Sequence, residues 1–117
     1  MENSFKDFVL DQLSALPEIR VKAMFGAHGL YQGEHFFGIL DEGRLFFKTN
    51  GQSQGDYVSR GMKPFTYVSK GRTLTMSYHE VPPEVLENPA DLAAWAQRAI
   101  RVALAPASNA KKSRRPP

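Results

Sequence analysis

Met24-Phe-Gly-Ala-His-Gly-Leu-Tyr31, Gln32-Gly33-Glu34, His35-Phe-Phe-Gly-Ile-Leu40, Asp41-Glu42-Gly43 and Arg44-Leu-Phe-Phe-Lys48 form the stretch that decides the fold. Apolar segments of strand length alternate here with glycine-bearing breaks, the sequence pattern of an antiparallel meander. Gly26 and Gly29 bracket Ala27-His28 and predict an irregular first turn, with Leu30-Tyr31 as a short strand beyond it. Asp41-Glu42-Gly43 reads as a three-residue hairpin loop with Gly43 in the left-handed position. On the strand after it, Leu45 and Phe47 share one face, and Arg44, Phe46 and Lys48 share the other. A phenylalanine between two cations either packs beneath another element or waits for a partner.

Outward from this centre, Ile19–Phe25 alternates imperfectly and predicts a preceding strand, placed at an edge. Phe65–Val68 and Thr73–His79 predict a second hairpin around Ser69-Lys70-Gly71. Leu74, Met76 and Tyr78 point one way and Thr73, Thr75 and Ser77 the other, so the sheet is expected to have one buried and one wet face. Residues 4–16 place Phe5, Phe8, Val9, Leu13 and Leu16 along one side of a helix that Pro17 ends. Asn88-Pro89-Ala90-Asp91 is a helix start, with Leu92, Trp95, Ala96, Ala99, Ile100 and Ala103 recurring on one side behind it. A short helix around Gln54–Arg60 would be anchored by Tyr57 and Val58 and stopped by Gly61. The fold class expected is α+β, an antiparallel sheet of about five strands covered by an N-terminal and a C-terminal helix. Residues 1–105 form that domain, and 106–117, lacking apolar periodicity, form a disordered basic tail.

A chain of 117 residues with 42% hydrophobic content builds one core without a staple, and it contains no cysteine. A thiol nucleophile, a disulfide framework and a cysteine-ligated metal are thereby excluded. Acids within the first residues and the lack of a long apolar run argue against a signal peptide or a membrane span, so a cytoplasmic protein without membrane contact is expected. The net charge of +3 is misleading. Removing Lys111, Lys112, Arg114 and Arg115 from the 15 basic groups leaves 11 against 12 acids, a net of −1 over residues 1–110. The basic character belongs to the tail, where it suits nonspecific nucleic-acid contact or plain solubility.

No reactive constellation emerges. His28, His35 and His79 lack the spacing of a metal-ligand motif. The serines lack a nucleophile turn, and Asp41-Glu42, Glu84 and Glu87 read as solvated carboxylates. The glycines do not make a phosphate loop, since no lysine and serine or threonine follow at the required spacing. His28 is the one candidate for a small-ligand site, against the simpler account of a turn histidine bonded to backbone. Phe25, Tyr31 and Phe46 are the aromatics to watch for a protein partner, against the default use of such side chains in a core. No cofactor and no catalysis are expected.

Met24-Phe25-Gly26, Gly29-Leu30-Tyr31, Phe36-Phe37, Leu45-Phe46-Phe47-Lys48, Gly61, Pro64-Phe65, Tyr67, Tyr78, Val81-Pro82, Val85-Leu86, Leu92 and Trp95-Ala96 follow one another as in the N-terminal domain of the TfoX, or Sxy, competence-regulator family, which the chain resembles from about residue 19 to residue 104. Ala27 departs from the glycine that this family often has there. The resemblance implies an α+β fold similar to that of secretion chaperones. It also implies positive control of DNA-uptake genes beside a cyclic-AMP-dependent activator, a role of members with a second, helical domain that these 117 residues do not include. The function expected is a noncatalytic protein-interaction domain in transcriptional or competence regulation, contacting a protein partner or a second copy through a sheet edge. The alternatives are a nucleic-acid accessory protein acting through Lys111, Lys112, Arg114 and Arg115, or a small-ligand binder or enzyme near His28.

Overall fold

The computed structural model describes residues 2–24 and 26–104, in the order α1 (Glu2–Gln12), β1 (Ile19–Met24), β2 (Ala27–Gln32), β3 (His35–Asp41), β4 (Arg44–Lys48), α2 (Gln54–Val58), β5 (Pro64–Ser69), β6 (Arg72–Glu80), α3 (Pro83–Leu86) and α4 (Pro89–Leu104). Phe25, Lys111, Lys112, Arg114 and Arg115 lie outside the described residues. The fold is α+β with an antiparallel sheet and helices at both ends. Its six strands run β1-β2-β3-β4-β6-β5, one more than the sequence pattern suggests.

The second strand, expected as Leu30-Tyr31 alone, is longer because the turn before it is shorter than its sequence suggests. Ala27, His28 and Gly29 are paired strand residues, opposite Met24, Ala23 and Lys22, and not an irregular turn. Met24 pairs directly with Ala27, and Gly29 pairs with Lys22 without breaking the strand. The β3–β4 turn is also shorter than its sequence suggests. Asp41 still pairs with Arg44, leaving Glu42 and Gly43 as a two-residue turn with φ of 52° and 75°, the doubly left-handed conformation that matches strand twist.

One face of the sheet is closed by helices. Val9, Leu13 and Leu16 from α1 and its following turn meet Leu92, Ala96, Ala99 and Ile100 of α4 over Leu30, Phe37, Leu40, Leu45 and Phe47. The small α4 residues let the helix backbone approach the sheet. The Asn88 side chain caps α4 by accepting the Asp91 amide at 3.1 Å. Phe8, placed on the inner side of α1 by its spacing, is instead 40% exposed. The short helix α2 is anchored by Tyr57, which is 1% exposed, and not by Val58, which is 56% exposed. Ahead of it Asn50 Oδ1 accepts the amides of Gln52 and Ser53 at 3.0 and 2.8 Å, which organises a glycine-rich loop.

The other face is the main departure from the sequence pattern. It is not simply wet, for Ala27, Ile39, Phe46 and Tyr78 form a second buried cluster with Phe36, Phe65 and Met76 packed against it. Tyr78 and Met76 therefore lie away from the terminal helices, not beneath them. The covering is supplied by the sheet itself. Phe46 on β4 and Phe65 on β5 have ring centroids 5.0 Å apart although β6 runs between their strands. A flat sheet would separate next-nearest strands by about 10 Å. The pairing of β5 with β6 shifts register between Pro64 and Thr66, a bulge that bends the outer hairpin inward. Phe36 on β3 and Tyr78 on β6 approach to 5.4 Å across β4 in the same way.

Gly38 shows how closely the central strands are fitted. A Cβ there would stand 3.1 Å from the Phe46 carbonyl oxygen and 3.1 Å from Leu30 Cδ1. The carbonyl belongs to a central strand and cannot withdraw, so Gly38→Ala is expected to destabilise the fold by about 1–3 kcal/mol, read as a lower urea midpoint with an unchanged denaturant slope.

Candidate binding surface

The concave sheet face combines flat rings with cations. Tyr31 and Phe36 are stacked at 5.2 Å, Phe36 leads to Tyr78, and Phe46 leads through Phe65 to Tyr67 at 6.4 Å. Over these rings lie Lys22 on Tyr31 at 5.3 Å, Arg44 on Phe46 at 5.4 Å and Lys48 on Tyr78 at 5.0 Å. Strand register explains the arrangement. Lys48 pairs with Tyr78, and Lys22 and Tyr31 sit on the same side of adjacent strands. Each cation–ring contact is worth roughly 0.5–1 kcal/mol at such exposure. Burial raises the Tyr78 phenol well above its ordinary range, with the neighbouring Tyr31 adding to the effect, so the ring stays neutral. Tyr31, Phe36 and Phe65 remain half-buried, while Tyr78 and Phe46 form the floor at 4% and 2% exposure.

A second polar cluster lies between α2, β6 and α4. His79 is buried and its Nδ1 is hydrogen-bonded with Thr49 Oγ1 at 2.9 Å. Tyr57 packs against His79 at 5.8 Å and meets Trp95 edge-on at 4.8 Å. Arg98 lies over both Trp95 and Tyr57 and donates to the Asp56 carboxylate. Arg60 also lies over Trp95, at 5.3 Å, and pairs with Glu84 at 3.0 Å. Burial drives the Tyr57 phenol upward, a shift only partly offset by Arg98. The cluster ties a loop helix to the core through aromatic and ionic contacts.

Burial also lowers the His79 pKa from its ordinary value. The unfolded chain therefore binds a proton at a higher pH than the folded one, and stability should fall as the pH drops below about 6.5. Urea unfolding of the parent and of His79→Gln from about pH 8 to about pH 5 tests this. The parent should lose stability toward acid through this residue, and the variant should show a shallower slope.

The structure separates the residues singled out by sequence. His28 is a partly buried strand residue opposite Ala23 and Leu40, on the helix-covered side, while Tyr31 is on the concave side. A cavity of about 270 Å³ opens instead between α4 and the loop before α2, lined by Asn50, Gln52, Ser53, Arg98, Arg101 and Val102. Among the described residues no group of three histidines and carboxylates is placed to hold a metal ion, and no helix is long and apolar enough to cross a membrane. Tyr31 and Phe46 share the concave face, though Phe46 lies under Arg44 and Phe65. Phe36, Phe65, Tyr78 and Lys22 complete that face and were not singled out from the sequence. The common parity of Arg44, Phe46 and Lys48 was the available signal for it.

A curled antiparallel sheet backed by two terminal helices, with an aromatic and cationic face and no assembled acid–base or nucleophile set among the described residues, defines a small α+β domain with the makings of a binding module. The family model described as the TfoX N-terminal domain matches residues 11–103. The chain belongs to that family. It is 27% identical over 100 residues to the DNA transformation protein TfoX1 of Aliivibrio fischeri, an alignment covering 86% of this chain and 46% of that protein. The chain thus spans about half the length of this curated relative.

Proposed function

We propose that the chain is a noncatalytic protein-interaction domain in competence-type transcriptional regulation, and that it engages its partner by strand addition at β5. The observation that carries this reading is the outer position of β5, on which Tyr67 and Val68 are 44% and 71% exposed. An outer strand presents unpaired backbone amides and carbonyls, and an apolar side chain beside them gives an added strand something to bury. Family membership supplies the regulatory setting, and the resemblance makes a cyclic-AMP-dependent activator the first partner to try.

The test is a titration of the purified activator, with its cyclic nucleotide, into labelled protein, alongside sedimentation of the protein alone. Saturable binding or self-association that Val68→Lys weakens at least about tenfold, a loss of about 1.4 kcal/mol, is the expected result. If the parent neither binds the activator nor associates with itself at about millimolar concentration, the reading fails.

A further inference from the structure

We infer that the concave sheet face binds single-stranded nucleic acid, the rings stacking on exposed bases and the cations taking the phosphates. The inference rests on the noncatalytic reading but uses a surface other than the β5 edge. Its ground is the pairing of two features at one place. Tyr31, Phe36 and Phe65 are half-buried rings on the curled sheet, and Lys22, Arg44 and Lys48 stand at 5.0 to 5.4 Å over rings of the same face. Two carboxylates share the face, Asp41 opposite Arg44 and Glu80 opposite Phe46. Lys22, Arg44 and Lys48, with Arg20 opposite Tyr31, leave it net positive.

The occupant follows from what would satisfy both features together. A second copy docking face to face would bring like charges together. An acidic peptide would meet the cations but offer few flat surfaces to the rings. Duplex DNA carries the charge, yet its bases are closed to stacking from the side. An extended single strand supplies one phosphate for each open base, and every base has a face to stack. The lysines leave their rings at low cost, because each ammonium rides on a flexible stem and exchanges a weak ring contact for a phosphate. Curvature suits this ligand, since Phe36 and Tyr78 approach across β4 and Tyr31, on the strand beside Phe36, continues the row.

The experiment titrates the full chain into a fluorescein-labelled deoxythymidine 12-mer, followed by anisotropy at about 20 mM and about 200 mM salt. The parent should bind, with unlabelled single strand competing at least about tenfold better than duplex of equal length. Tyr31→Leu and Phe36→Leu, which keep apolar volume and remove a ring, should each weaken binding about 5- to 100-fold. Lys22→Gln combined with Lys48→Gln should flatten the salt dependence. Circular dichroism melts of each variant establish that the fold is kept, and the lysine pair, exposed at Lys22 and half-buried at Lys48, keeps the test decisive should a ring variant fail to fold. A full chain with Lys111, Lys112, Arg114 and Arg115 changed to glutamine should retain the effect of the ring substitutions, and Val68→Lys should bind like the parent. Several results would overturn the inference: no binding at the lower salt, equal competition by duplex, folded ring variants within about twofold of the parent, or face substitutions that abolish activator binding while sparing the oligonucleotide.

Discussion

Tyr57→Ala is expected to destabilise the domain by about 3–5 kcal/mol, whereas Tyr57→Phe should cost less than about 1.5 kcal/mol. The side chain is 1% exposed and is the buried contribution of a five-residue helix. Truncation would leave a ring-sized void bounded by Trp95 and His79. The surroundings are held by strand and helix backbone and would close it only in part. The Arg98 guanidinium would also lose one of its two rings, with the ion pair to Asp56 left on a loosened helix. Replacement by phenylalanine preserves these ring contacts and removes only the hydroxyl. Thermal melts should separate the two variants by at least about 10 °C at this chain length. Near-equal melting temperatures would mean that α2 is held by its turns and not by Tyr57.

Local pattern carried much of the architecture because several signals agreed. Pro89 with Asn88 marked the start of α4, and the spacing of Leu92, Ala96 and Ile100 marked its buried side. Gly43 marked its turn through its φ of 75°. The misreadings have a common physical origin: local pattern does not report what arrives from elsewhere in the chain. Gly29 looked like a breaker, but pairing with both Lys22 and Ile39 holds it in a regular strand. Val58 looked like an anchor beside Tyr57, yet the direction in which a five-residue helix packs is set by Trp95, thirty-eight positions after Tyr57. His79 has no ligand motif around it in the sequence, and its buried contacts come from Thr49 and Tyr57, distant in the chain. The alternation along β6 put Met76 and Tyr78 on a common face but could not say which face the helices cover. That depends on β6 pairing with β4 in the register Phe47↔His79, which sends Tyr78 to the side of Phe46.

Phe46→Ala decides whether the concave face is a true second core. On a sheet covered by helices on one side only, this position would point to water and truncation would cost little, since surface substitutions usually stay within about 0.5 kcal/mol. Here Phe46 is 2% exposed between Ile39, Tyr78, Phe65 and the Arg44 guanidinium. Its loss should cost about 3–5 kcal/mol, comparable with the same change at Phe47 beneath α4. The two variants should still differ in kind. Removing Phe47 opens a void against Phe37 in the helix-covered core. Removing Phe46 withdraws the contact against which Phe65 folds the β5–β6 hairpin inward, so the hairpin should straighten. Amide exchange should then accelerate along β5 in Phe46→Ala more than in Phe47→Ala at matched global stability. A curled sheet held by its own aromatics thus predicts two costly phenylalanines on opposite faces of one strand, with the outer hairpin responding to only one of them.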